Sequence, residues 1–165
     1  MKMNTIILII ATLSSGLIAG LFYAWSISVT PGLAKITDES YLVAFQSMNR
    51  AILNPAFFIF FFGLLLLLPL LCYLYYQAPA GIQFWCILAA TVLYLLGVMA
   101  ITILGNVPMN NTLEGLQIGS MTPQEMESFR LGFESKWNNL NMIRTICSSL
   151  ALLSLLIACV QNSVK

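Results

Sequence analysis

Histidine is absent from this chain of 165 residues, and with it go the commonest metal ligand and the usual general base near neutral pH. Charge is scarce as well. Asp, Glu, Lys and Arg make up 8% of the sequence, against about 25% in soluble globular proteins. The net charge of +1 offers no basic surface to nucleic acid, so no nucleic-acid partner is expected. A phosphate-binding glycine loop, G-x-S-x-G and H-E-x-x-H are all missing, which removes the motif-borne forms of nucleotide, serine-hydrolase and zinc-protease chemistry. The four cysteines sit in apolar runs without C-x-x-C pairing or zinc-ligand spacing. They read as small buried hydrophobes; the alternative is a thiolate metal site from Cys72, Cys86 and Cys159, which would share a depth. No cofactor is expected.

What is present is apolar side chain, 59% of the sequence. A soluble fold of this length could not hide so much, so the solvent is lipid and the bilayer is the expected partner. Length allows one membrane domain over residues 1–165. Four apolar segments, about 5–27, 55–76, 82–104 and 138–160, are each near the roughly 20 residues that cross a bilayer as a helix. Helices are required because an open chain in hydrocarbon leaves its backbone polar groups unsatisfied. The first segment follows Lys2 but is too long for a signal peptide and is expected to be retained. The fold class is therefore all-α, a four-helix transmembrane bundle.

The connections are unequal. QAPAGIQ joins spans two and three as a tight uncharged turn, while residues 28–54 and 105–137 form long loops that hold nearly all the charge. Four crossings place both long loops on one side and both termini on the other. In a bacterium the membrane would be the cell membrane; lysines and arginines are too evenly divided to orient the chain by the positive-inside rule. Each long loop carries a helix signal. Thr37 precedes Asp38 and Glu39, with Leu42, Phe45, Met48 and Ile52 at helical spacing. Thr122-Pro-Gln-Glu125 is a capping box. Short amphipathic surface helices are expected at both places. The halves also rhyme, VTPGL and NRAILNP being echoed by NVPMN and WNNLNMIR.

Polar groups collect on the long-loop side. Pro31 and Gly105-Asn106-Val107-Pro108 are read as the ends of spans one and three, and Asn54-Pro55 and WNNLNMIR as the openings of spans two and four. On a helix Trp137, Asn141, Arg144 and Ser148 share one face, with Arg144 roughly 10 Å inside the span. A guanidinium there costs about 2.5–3.5 kcal/mol on insertion scales and needs acceptors: Asn106, Asn110, Glu114 or a ligand. Intramembrane charge is a functional-site hypothesis by default. A purely structural account competes with it, in which the asparagines are caps and Arg144 sets the depth of the span. Trp25, Trp85 and Trp137 read as an interfacial belt. The spans contain no Asp or Glu, so a carboxylate proton relay has no carriers. What remains is a cavity, part apolar and part amide-lined, suited to a small apolar aromatic ligand with an oxygen at one end.

The ordered blocks GLFYAWSISVTPGL, FQSMNRAILNP, NVPMNNTL and WNNLNMIR resemble the anthrone oxygenase-like family of small four-span membrane proteins. NVPxN followed by W-x-x-x-N-x-x-R is the most specific part, and the likeness covers nearly the whole chain. Leu140 stands where members often have a second tryptophan, so stacking on that ring is not expected here. The resemblance implies oxidation of an anthrone to an anthraquinone by molecular oxygen without a cofactor. By carry-over Arg144 would hold the oxyanion, and Asn106, Asn110 and Asn141 would position it. Trp25 and Trp137 would pack on the rings, with Gln46, Asn49, Asn54 and Glu114 as further substrate contacts. Glu114 or Glu134 would be the base. Two functions follow from different classes: such an oxygenase, or a non-enzymatic lipid-binding or accessory membrane subunit in which Arg144 holds a head group or a carboxylate.

Overall fold

The computed structural model describes residues 2–163, and among them there is no strand. The helices are α1 (Met3–Leu33), α2 (Asp38–Ile52), α3 (Pro55–Tyr75), α4 (Ile82–Glu114) and α5 (Pro123–Ser163), with a 3-10 turn at Ile118–Ser120 between the last two. All but α2 are long and apolar enough to cross a membrane, and the chain reads as an integral membrane protein. α5 packs against α1 and α4, and α3 closes the ring by packing against the same two helices.

Three of the four long helices overshoot their apolar segments, and for α1 and α4 the physical reason lies in two prolines. Pro31 and Pro108 were expected to end spans one and three. In the structure both helices run on. A proline inside a helix removes one N–H and crowds the carbonyl four residues back. Each of these prolines follows a π-helical turn, Trp25–Val29 in α1 and Thr102–Asn106 in α4. There the backbone bonds skip to five residues, Thr30 N–H to Trp25 O and Val107 N–H to Thr102 O. The wider turn takes up the register change the proline imposes. VTPGL and NVPMN, which rhyme in sequence, are thus the same device used twice.

The second loop behaves similarly. Thr122 does open a helix: its N–H donates to Glu125 Oε2 at 2.7 Å and Glu125 N–H returns to Thr122 Oγ1 at 3.3 Å. The stretch does not stop before the span. It is the first third of a 41-residue helix, because no proline or glycine breaker stands between Phe133 and Arg144. α2 is the separate surface helix expected in the first loop, capped by Thr37 Oγ1, which accepts from Ser40 N–H at 3.3 Å.

The protein has two cores. One lies among the spans around Leu8, Leu64, Leu68, Ile87, Val98 and Leu155. The other lies on the long-loop side, where Tyr41, Leu42 and Phe45 of α2 meet Leu113, Phe133 and Trp137. Outward-facing residues such as Leu66, Leu96, Leu104 and Val160 are exposed, as expected of helices apolar on both faces. α2 is held down by two polar clasps. Gln46 Nε2 donates to Leu113 O and Leu116 O at 2.8 and 3.1 Å. Arg130 pairs with Asp38 and Glu134 and donates to Leu33 O, Ala34 O and Ile36 O, bonding carbonyls at and just past the end of α1. Its guanidinium also lies over the Tyr41 ring at 4.4 Å. Burial, with the charge of Glu134 adding and that of Arg130 opposing, raises the Tyr41 phenol well above its usual range, so it stays neutral.

Candidate functional site

The seam between the two cores encloses a cavity of about 100 Å³. Its walls come from all five helices: Phe22 and Trp25 of α1, Met48 and Asn49 of α2, Phe57 of α3, Thr102, Asn106 and Asn110 of α4, and Trp137, Asn141 and Arg144 of α5. An adjoining space of about 220 Å³ shares Asn49, Ile52, Leu53, Val107 and Asn110 with it and leads to Arg50 and Glu114.

Arg144 dominates the polar part. It is 6% exposed, and no carboxylate lies within ion-pair range among the described residues. Nη2 donates to Asn141 Oδ1 at 2.8 Å and Nη1 reaches Thr102 Oγ1 at 3.4 Å, while Nε is buried without a partner. The cation lies over the ring of Phe22 at 4.5 Å and faces that of Trp137 at 5.3 Å. A guanidinium has five N–H groups, so these two bonds leave part of its donor capacity unspent. Asn106, 1% exposed, has neither amide atom bonded, and Asn49 Nδ2 is likewise free. Buried polar atoms are bonded in roughly nine cases of ten. Three residues with such groups line this one small space.

Asn141 is the best-fixed member. Its Nδ2 donates to Ser26 Oγ at 2.8 Å and to Phe22 O at 3.2 Å. Thr145 Oγ1 donates to Phe22 O at 3.0 Å and lies 2.9 Å from Ser26 Oγ. This network ties α1 to α5 beside the first π-helical turn and holds the Asn141 carbonyl toward Arg144. On the apolar side the Trp25 and Trp137 rings lie 5.0 Å apart, and Trp137 Nε1 donates to Asn110 Oδ1 at 2.8 Å.

Of the residues chosen from sequence, the structure brings together Trp25, Asn49, Asn106, Asn110, Trp137, Asn141 and Arg144. It does not bring in the others. Gln46 is spent on the α2 clasp, and Asn54 caps α3, accepting from Phe57 N–H at 3.0 Å and donating to Ala51 O at 2.8 Å. Glu114 pairs with Arg50 at 2.7 Å. Because α4 continues past Pro108, Glu114 stands eight residues, about 12 Å of helix, beyond Asn106, and lines the adjoining space rather than the cavity around Arg144. Glu134 is held by Arg130 and lines no wall of the cavity. Trp137, expected in an interfacial belt, is 4% exposed, whereas Trp85 is 55% exposed. Sequence reasoning missed Phe22 and Thr102. Thr102 was accessible in principle, standing four residues before Asn106 on the same helical face; Phe22 carried no polar signal. No group of three His, Cys, Asp or Glu side chains capable of holding a metal occurs among the described residues.

A family model described as anthrone oxygenase matches residues 57–154. No curated protein and no solved structure matches the chain. The match takes in more than half of the sequence, including Asn106, Asn110, Trp137, Asn141 and Arg144, and the chain belongs to that family.

Proposed function

We propose that this member of the anthrone oxygenase family takes a planar aromatic ketone of the anthrone type from the bilayer and oxidises it to the quinone with molecular oxygen. The observation that carries the reading is the buried, carboxylate-free guanidinium of Arg144 facing the cavity with Nε unpartnered. In the reaction the methylene carbon loses two hydrogens, one atom of dioxygen becomes the new carbonyl oxygen, and the other leaves as water. The substrate becomes reactive when electron density moves onto its oxygen, leaving a ring system able to pass electrons to dioxygen. Arg144 stabilises that oxygen with N–H groups already fixed in place by Asn141 and Thr102. Phe22, Trp25, Phe57 and Trp137 supply the apolar surface for the rings. The first cavity is small beside the roughly 300–1,000 Å³ of typical ligand sites. A three-ring ligand therefore fills both spaces, displacing the shared side chains Ile52 and Leu53. The chain sits in the membrane with both termini on one side and the cavity toward the other.

The test is anthrone-dependent oxygen uptake by membranes carrying the wild type, Arg144→Gln or Arg144→Lys at matched expression. Anthrones oxidise unaided, so the quantity is the rate above empty membranes. Uptake that falls to background in Arg144→Gln and only partly recovers in Arg144→Lys supports the reading. Background rates from all three remove anthrone oxidation and leave a non-enzymatic binder of oxygen-bearing lipids.

A further inference from the structure

We propose that the cavity selects its ligand as the enol tautomer, a hydroxyl on an aromatic ring, and that Asn106 is the residue that reads the hydroxyl; this deepens the oxygenase reading and rests on it. Asn106 is 1% exposed, lines the cavity, and has both its amide nitrogen and its carbonyl oxygen unpartnered. A carboxamide in that position asks for an acceptor and a donor at once. A ketone brings acceptors only. It would satisfy Asn106 Nδ2 and Arg144 Nε and leave Asn106 Oδ1 bare, at the cost of an unsatisfied buried acceptor. A hydroxyl meets all three groups, its lone pairs accepting from the N–H donors and its hydrogen going to Oδ1.

The acceptors nearest Arg144 each already hold one donor. Asn110 Oδ1 is taken by Trp137, and Asn141 Oδ1 and Thr102 Oγ1 by Arg144. Among the described residues Asn106 Oδ1 is the buried wall carbonyl without a donor. The same choice accounts for the missing base. Keto and enol forms differ by one proton lost from the methylene carbon and one gained by the oxygen, with no change of formula. No carboxylate lines the cavity around Arg144, and Glu114 in the adjoining space is paired with Arg50, so the carbon proton is exchanged through water. The site then holds the tautomer whose rings are already electron-rich.

The experiment uses stable three-ring probes, 9-phenanthrol and its methyl ether, titrated at pH 6 against the full chain purified in detergent and read by tryptophan quenching. In the wild type the phenol is expected to bind about tenfold tighter than the ether, the loss that one unsatisfied buried acceptor produces. Asn106→Ala removes no protein hydrogen bond; it is expected to bring the phenol down to the ether's affinity while leaving the ether unchanged, which also shows that the variant is folded. Asn106→Asp, which keeps an acceptor, is expected to keep the phenol preference. Equal wild-type affinity for phenol and ether overturns the proposal and leaves the oxygenase reading standing, as does a preference that survives in Asn106→Ala. Binding of neither probe overturns both.

Discussion

A single methyl group at position 97 is expected to wedge the bundle open. Gly97 lies in the π-wound part of α4 that faces α5. A Cβ built there would stand 2.3 Å from Cys147 Sγ and 2.4 Å from Cys147 Cβ. Carbon–carbon contact is optimal from about 3.5 Å, so the overlap exceeds about 1 Å. The sulfur can rotate aside; the Cβ is fixed to the α5 backbone and cannot. Overpacking of this kind costs about 3 kcal/mol, while alanine gains about 1 kcal/mol over glycine in a helix. The net expectation for Gly97→Ala is a loss of about 2 kcal/mol, a drop of about 4–8 °C in the melting midpoint. Thermal unfolding in detergent, followed by far-ultraviolet circular dichroism, measures it. Gly63→Ala, whose Cβ would meet nothing within 4 Å, is the control and is expected to be neutral or mildly stabilising. Adding Cys147→Gly to Gly97→Ala is expected to recover most of the loss, whereas adding Cys147→Ala, which keeps the Cβ, is not. A Gly97→Ala protein that melts with the wild type would refute the close packing of α4 on α5. Thr102 and Arg144 lie close along the chain to this contact, so the wedge also pulls apart their 3.4 Å hydrogen bond.

Two further outcomes separate site from scaffold. Arg144→Met removes a charge that costs about 2.5–3.5 kcal/mol to insert and a charge-assisted hydrogen bond worth about 1.5–3 kcal/mol. Its stability is therefore expected to stay within about 1 kcal/mol of the wild type while oxygen uptake disappears; a loss above about 3 kcal/mol would make Arg144 a structural tie instead. Asn54→Ala is expected to cost about 1 kcal/mol through the lost α3 cap with unchanged oxygen uptake per folded molecule, and a slower rate at equal folded amounts would return Asn54 to the site.

Much of this was legible because lipid leaves few options. Long apolar runs separated by polar loops can only be spans, and asparagines beside one arginine at the span mouths can only gather where the mouths gather. Trp137, Asn141 and Arg144 meet on the face that helical spacing assigns to them. The failures have one physical source: helix continuity. Pro31 and Pro108 were read as stops, since proline usually is one, and nothing in WSISV or TILGN announces a π turn that absorbs it. Because α4 runs on past Pro108, Glu114 is carried along the helix to the adjoining space, where it pairs with Arg50. Gln46 and Asn54 could not be sorted from Asn49 by sequence, because which backbone groups they serve depends on how α2 lands on the rest of the fold. Phe22 was invisible for the opposite reason, being one apolar residue among many.

The unbroken course of α5 sets a rule for what the gene can change. At 1.5 Å per residue its 41 residues reach about 60 Å, twice the hydrocarbon thickness of about 30 Å. One rod therefore carries both Arg130, which clasps the outer cap, and Arg144, which faces the cavity. Each residue added or removed between them would swing one against the other by about 100° and slide it by 1.5 Å. That stretch tolerates substitution but not a change of length. Changes of length are better borne by the turn at 76–81, which links α3 to α4 outside both cores.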